Sequence, residues 1–320
     1  MDFVIIIKQA IRYAAVLLYG STGETLIEKS GHLNLGVPGI MCLGAVGGCM
    51  GARWAFAGGM DKYGIIFVAI IMAMLFGAIG GVIYGVFTIT LRCNQNVTGL
   101  TLTTFGAGVL GFWKSQMGSA GMTYAFSRPA RLAFVSPFFG EVGSDAFSTM
   151  FLSQGALVYL AIAIAIIVAV ALRFTRKGLA LRAIGENPAA ADAAGINVIG
   201  YKYFSCIMGA AIAGIGGASY ILDCTAGTLE LKVEALGWLA VALVIFSLWR
   251  PSIGIFGSFV FGFLYVLPQY VTSVQGSNGI LLEIIPYGAT ALVLVVISFF
   301  NKKETQPPAA LGLPYFREDR

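Results

Sequence analysis

The sequence predicts an all-α membrane protein, a polytopic bundle of about eight to ten transmembrane helices. Of its 320 residues, 58% are hydrophobic and 11% are charged, whereas a soluble domain has about 25% charged residues. The mean hydropathy is +0.85, and uncharged apolar stretches recur along the chain. The 42 glycines are typical of membrane helices that pack closely against one another.

The individual transmembrane segments follow from apolar stretches of nearly the required length, which is about 20 residues. Seven stretches are clear: residues 33–52, 64–91, 97–113, 151–172, 203–222, 252–274 and 284–300. Two more are weaker, because residues 235–249 form a short stretch and residues 11–25 are interrupted by polar side chains. The sequence therefore predicts about nine segments, of which the first has the weakest signal.

The distribution of lysine and arginine predicts how the protein is oriented in the membrane. If the loop 173–202 faces the cytoplasm, alternation of the segments places eleven bases inside and six outside, as expected from the positive-inside rule. The inner bases are Arg92, Arg173, Arg176, Lys177, Arg182, Lys202, Arg250, Lys302, Lys303, Arg317 and Arg320, and the outer bases are Arg53, Lys62, Lys114, Arg128, Arg131 and Lys232. We therefore expect a transmembrane domain over residues 1–300 and a cytoplasmic C-terminal tail over residues 301–320. The side of the N-terminus depends on whether residues 11–25 cross the membrane.

Small residues recur at four-residue intervals in three of the predicted segments. They are Gly44 and Gly48; Gly77, Gly81 and Gly85; and Gly209, Ala213 and Gly217. Such spacing lets helix backbones approach closely in lipid. We expect these rows to pack inside one bundle rather than to form a dimer interface.

The loop 173–202 contains the signals of a short helix. Asn187 is a favourable N-cap, Pro188 suits the first helical position and Gly195 is a natural end. The six residues 189–194 include five alanines, and a helix this short is not stable alone in water. Either the rest of the chain or a partner protein must therefore hold it.

A second stretch, residues 20–41, predicts a break in a membrane helix. Asn34, Gly36, Pro38 and Gly39 interrupt its apolar run, so a half-helix beginning at Pro38 would follow unwound backbone. The short segment at Trp238 is its counterpart later in the chain. Paired discontinuous helices in two pseudo-symmetric halves indicate a transport site, which would be lined by these four residues and Trp238. Packing without substrate contact, and an interfacial anchor role for Trp238, remain as alternatives.

These motifs resemble those of a known family. Residues 23–45, with Glu24, Glu28 and Asn34, look like the opening signature of the permeases that serve sugar, branched-chain amino acid and nucleoside ABC importers, and are most similar to the purine-nucleoside branch. Residues 178–196 are similar to the coupling segment of that family, and residues 236–251 give a third match.

The resemblance implies a bacterial plasma-membrane permease subunit for a nucleoside or a sugar. It implies contact with the ATPase through the coupling segment, at Arg182, Gly185, Glu186, Asn187, Pro188 and Asp192. It further implies partner ATPase subunits, a second homologous permease or a copy of this one, and an extracellular substrate-binding lipoprotein. The nucleoside branch commonly has carboxylates where this chain has Pro38 and, nearby, Gln95-Asn96, so nucleoside, sugar and amino acid all stay open.

Missing motifs exclude several other functions. The chain has no phosphate-binding Gly-x-x-x-x-Gly-Lys-Ser/Thr loop, so we expect no cofactor in this chain and ATP hydrolysis in a partner. The lone His32 provides neither a His-based metal site nor a catalytic constellation, and the dispersed bases do not indicate a nucleic-acid partner. A gradient-driven carrier is the main alternative, and a lipid-modifying enzyme ranks below it. We expect the long spans to lack the ionisable residue that such a carrier usually needs.

Overall fold

The computed structural model describes residues 2–116, 128–140, 145–270 and 306–316, together with positions 284, 288, 292 and 295. These residues form helices and the turns between them, with no strand among them. The all-α membrane fold predicted from the sequence is thereby confirmed.

Ten α-helices follow one another along the described chain. They are α1 (Asp2–Glu28), α2 (Val37–Ala57), α3 (Lys62–Gly85), α4 (Gln95–Gln116), α5 (Ala156–Phe174), α6 (Arg176–Glu186), α7 (Pro188–Ala193), α8 (Val198–Ser219), α9 (Val233–Phe246) and α10 (Pro251–Tyr270). Four π-helical turns accompany them, at Val86–Thr90, Arg131–Val135, Ser148–Leu152 and Tyr220–Cys224. The first and last of these turns extend α3 and α8.

Six of these helices are long and apolar enough to cross a membrane: α1, α2, α3, α5, α8 and α10. Helix α4 has 22 residues and α9 has 14, and both coincide with predicted segments. Eight of the nine predicted segments are therefore helices. The ninth, residues 284–300, lies outside the described residues except for isolated positions.

Helix α1, the segment with the weakest sequence signal, is the longest helix described. Its 27 residues span about 40 Å at 1.5 Å per residue, which is enough to cross the membrane. The polar side chains that interrupt its apolar run are buried, for example Ser21, Thr22 and Thr25. Residues 11–25 therefore cross the bundle, and the two ends of α1 lie on opposite sides.

The rows of small residues pack inside the bundle, as predicted. Helix α8 lies at its centre against α1, α2 and α3. A Cβ atom on Gly217 would lie 1.8 Å from the carbonyl oxygen of Met41, and one on Gly44 would lie 2.2 Å from that of Gly214. Only glycine fits such contacts, because any side chain would overlap the neighbouring backbone.

One end of the bundle, hereafter the tail side, collects the loop 173–202, the α1–α2 connection and residues 306–316. The Ala310 N–H donates to the Gly185 carbonyl oxygen at 2.9 Å, and the Gly312 N–H donates to that of Gly31 at 3.1 Å. Arg92 lies 4.6 Å from the ring centre of Phe316. The predicted grouping of these segments on one side is confirmed, while their exposure to the cytoplasm remains a prediction.

The expectation that the long spans lack ionisable residues is wrong. Glu24 and Glu28 lie in α1 and are 0% and 3% exposed. Arg12, also in α1, pairs with Asp223 at 3.7 Å near the opposite end. Buried ionisable groups are tolerated here because they lie inside the bundle beside polar partners rather than facing lipid.

Candidate functional site

The chain between α1 and α2 turns back into the bundle. Gly31 has a φ of +89°, which places it in the left-handed region that glycine adopts without steric cost. Residues 29–36 are not helical, and α2 begins at Val37 with Pro38 in its first turn. This confirms the predicted helix break to within one residue.

The depth of this break follows from its neighbours. A Cβ atom on Gly237 of α9 would lie 2.4 Å from the Cα atom of Pro38. Gly237 is nine residues before the end of α9 at Phe246, which corresponds to about 14 Å along the helix axis. Helix α2 therefore begins well inside the bundle. Unwound backbone at such depth has to be paired within the protein or wetted.

Asn34 is one of the residues that pair the buried polar groups at this break. Its backbone N–H donates to Glu24 Oε1 at 3.1 Å, and its Nδ2 donates to Glu24 Oε2 at 3.3 Å. Its Oδ1 accepts a hydrogen bond from the Gly36 N–H at 2.9 Å. Asn34 is 0% exposed, so in this conformation it fixes the connection and does not face an open cavity.

The two carboxyl groups of α1 were missed as site residues by sequence reasoning. Glu24 holds Asn34, and Glu28, one turn later, accepts a hydrogen bond from the indole N–H of Trp249. Trp249 and Leu248 have φ values of +54° and +53°, a costly conformation for non-glycine residues. The useful signal was two acidic residues four apart in a helix long and apolar enough to cross the membrane. Helix α1 thus joins the α1–α2 connection to the α9–α10 turn.

Glycine packing brings α4 against the start of α2. A Cβ atom on Gly39 would lie 2.2 Å from the Leu102 carbonyl oxygen, and one on Gly106 would lie 2.1 Å from that of Gly39. Gly36 is also confined, because a Cβ atom on it would lie 2.8 Å from Asn34 Oδ1. Gly36 and Gly39 therefore set how closely α2 and α4 approach.

The structure brings Gly237, rather than its neighbour Trp238, into contact with Pro38. Trp238 is half-buried, as is Glu234 one turn earlier on α9. The fully buried positions in this part of α9 are Val233, Leu236 and Gly237. Glu234 and Trp238 thus define a half-buried face of α9.

The predicted coupling segment forms two helices joined at Asn187. Asn187 is the N-cap of α7, and its Oδ1 accepts a hydrogen bond from the Ala190 N–H at 2.9 Å. Pro188 occupies the first turn, and Gly195 ends the segment with a φ of +81°. The predicted short helix is confirmed. Glu186 and Ala190 are exposed, whereas Ala191 is buried.

The C-terminal tail holds α7 in place. The Tyr315 hydroxyl donates to Asp192 Oδ2 at 2.8 Å. A small apolar cluster beneath α7 contains Ile184, Ala191 and Val198, with Tyr315 packed against it. Support for the short helix therefore comes from the chain itself, which leaves the exposed face of α7 open to a partner.

Burial shifts the pKa of both basic groups in the connection, His32 and Lys29. Burial lowers the pKa of His32 from 6.5 to about 3, so the imidazole is neutral at physiological pH. Burial also lowers the pKa of Lys29; the nearby Glu186 opposes this shift, while Arg182 and Arg250 add to it. Among the residues that the structure describes, no group of three or more His, Cys, Asp or Glu side chains could hold a metal ion.

Comparison with known proteins gives a match over almost the whole chain. A family model described as branched-chain amino acid transport system / permease component matches residues 6–299. The chain is 28% identical to the nucleoside ABC transporter permease protein NupC of Lactococcus lactis, over 98% of this chain and 97% of that protein. It is 26% identical to the guanosine ABC transporter permease protein NupQ of Bacillus subtilis, over 99% and 98% of the two chains.

Two further similarities are to a permease named for a sugar and to a solved structure. The chain is 31% identical, over 82% of its length and 76% of the relative, to TsgC13 of Haloferax volcanii, which is provisionally named a glucose ABC transporter permease. A solved inward-facing ABC transporter, provisionally of the metal-chelate type, aligns with 91% of this chain and 84% of its own. That alignment has a TM-score of 0.45 and 11% identity.

Proposed function

The chain belongs to the family of branched-chain amino acid transport system permease components, and from its similarity to two nucleoside permeases we propose that it carries a nucleoside into the cell. It is the membrane-spanning permease subunit of an ABC transporter, a multi-pass protein of the plasma membrane and not itself an enzyme. The similarity to NupC and NupQ over nearly the full length of all three chains supports a nucleoside cargo. Glucose is the competing cargo, because TsgC13 bears that name.

Uptake measurements test the cargo. The complete transporter would be expressed in a strain that lacks its own nucleoside and glucose uptake, and supplied with radiolabelled guanosine, glucose or leucine. We expect uptake of guanosine that depends on this chain. Uptake of glucose or leucine without guanosine would overturn the nucleoside assignment while leaving the permease role in place.

The family implies an ATPase partner, and the further partners belong to the proposal. These are a second homologous permease or a copy of this one, and an extracellular substrate-binding lipoprotein. ATP hydrolysis would take place in the ATPase subunit alone. We expect the purified chain to hydrolyse no ATP and hydrolysis to appear when the ATPase subunit is added; sustained hydrolysis by the chain alone would refute this division of labour.

Contact with the ATPase is proposed at α7 and the residues around it. The exposed face of α7 carries Ala190 and lies beside Asn187 and Glu186, while Tyr315 is hydrogen-bonded to Asp192 of the same helix.

The tail-side position of α7 agrees with the predicted cytoplasmic location. Ala190→Cys would test this location: an impermeant thiol reagent applied outside intact cells should leave it unmodified. Ala57→Cys, at the opposite end of α2, is the matched control and should be labelled.

The substrate path is proposed between the start of α2 and the half-buried face of α9. Asn34, Gly36, Pro38 and Gly39 are buried in this conformation and would line one side when the bundle opens, with Trp238 as the aromatic side chain on the other. An indole face can stack against a nucleobase, which suits the proposed cargo. Trp238→Leu should lower guanosine uptake at equal expression, whereas Trp238→Phe should retain most of it. Equal uptake by the wild type and the leucine variant would exclude Trp238 from the path.

A further inference from the structure

A cavity of about 680 Å³ opens on the tail side between α5, α6 and α10. Four bases line it: Lys29, Arg173, Arg182 and Arg250. Glu186 is the one acidic residue in the lining. The walls of the cavity therefore carry a clear excess of positive charge.

The opposite wall of the same cavity is apolar. Ala169 and Leu172 of α5 contribute to it, together with Ile253 of α10, and both helices are long and apolar enough to cross the membrane. The cavity thus extends from the apolar flank of two membrane helices to a basic rim. Such a combination suits a ligand with a hydrocarbon part and an anionic part.

Four bases and one acid share this rim, so the positive charges outnumber the negative charge. Lys29 is partly buried; burial lowers its pKa, Glu186 raises it, and the positive charges of Arg182 and Arg250 lower it further. The Nε atom of Arg182 is buried without a hydrogen-bond partner. An anion placed among these side chains would relieve their repulsion and supply the acceptor that Arg182 Nε lacks.

We propose that this cavity binds the phosphate group of an anionic phospholipid, with the acyl chains against Ala169 and Leu172. Basic pockets between membrane helices are suited to anionic headgroups, and arginine pairs well with phosphate oxygens. A free phosphate ester shares the phosphate chemistry, but it would leave the apolar wall without contact. The site is separate from the proposed substrate path, and it shares Arg182 and Glu186 with the proposed contact to the ATPase.

Native mass spectrometry of the purified full-length chain tests this proposal. The chain would be titrated with dioleoylphosphatidylglycerol and, separately, with dioleoylphosphatidylcholine. We expect the wild type to bind phosphatidylglycerol in preference to phosphatidylcholine. Arg173→Gln and Arg182→Gln each remove one base, and each should lower the affinity for phosphatidylglycerol about fivefold. The matched control is Arg176→Gln/Lys177→Gln, which removes two exposed bases of α6 that do not line the cavity and should bind like the wild type. Arg182→Lys keeps the charge and should retain most of the affinity.

Each remaining outcome contradicts the proposal. Equal binding of the two lipids, or equal loss in Arg182→Gln and Arg182→Lys, would show that charge does not select the ligand. Displacement of phosphatidylglycerol by inorganic phosphate at similar concentration would reassign the cavity to a soluble anion. Complete displacement by the ATPase subunit would show that the cavity is part of the protein interface instead.

Discussion

Replacing Asn34 by leucine tests whether the α1–α2 connection is held by the contacts described above. Leucine has nearly the same volume, but it removes the hydrogen bond to Glu24 Oε2 and the one from the Gly36 N–H. Each buried group left without its partner costs about 1–3 kcal/mol. Since the site is completely buried and no water can replace the amide, we expect a loss of about 4 kcal/mol in the free energy of unfolding.

A loss of this size is smaller than the free energy of unfolding of a folded domain, which is about 5–15 kcal/mol, so the variant should still assemble. We expect its basal ATPase activity with the partner subunit to stay near wild type, while substrate uptake falls because α2 no longer begins at a fixed position. Unfolding would be followed in increasing denaturant and uptake measured at equal expression. Asn96→Leu is the matched control, since Asn96 is exposed on α4.

Wild-type uptake and an unchanged free energy of unfolding in Asn34→Leu would refute this account of the connection. A stability loss with normal uptake would have a narrower meaning. It would show that the hydrogen bonds are structural and that the connection does not form part of the substrate path.

Three further predictions concern other parts of the chain. Asn187→Ala removes the N-cap of α7 and should cost about 0.5–2 kcal/mol, seen as weaker ATPase binding in a pull-down titration; unchanged binding would count against the coupling role of α7. Gly217→Ala should destabilise the protein by about 1–3 kcal/mol through overpacking, as measured by thermal unfolding. Gly108→Ala is the control and should be neutral or stabilising, because a Cβ atom added there meets no atom within 4 Å. Because the folded pKa of His32, about 3, lies below its ordinary value of 6.5, the folded state binds fewer protons between these pH values. Stability should therefore fall as pH drops through this range, by up to about 1.4 kcal/mol per pH unit, and a His32→Gln variant should lose that slope.

The amino-acid sequence alone determined the membrane fold, most segment positions, the helix break near Asn34 and the short helix capped by Asn187. These features depend on local chemistry: an apolar run of sufficient length, glycine and proline at a break, and a side chain that caps its own helix. The rows of small residues were also interpreted correctly, because their four-residue spacing places them on one helix face.

Other features were decided by the tertiary structure, because they depend on residues far apart in the chain. The sequence signal of α1 was weak because its polar residues lower the mean hydropathy of the segment. In the structure, Glu24 and Glu28 are stabilised by hydrogen bonds from Asn34 and Trp249, which belong to other elements. The support of α7 by Tyr315 joins positions 123 residues apart. A buried ionisable group or a short alanine helix is unfavourable by itself and becomes stable only when a distant segment supplies its partner. The amino-acid sequence does not show which distant segment that is.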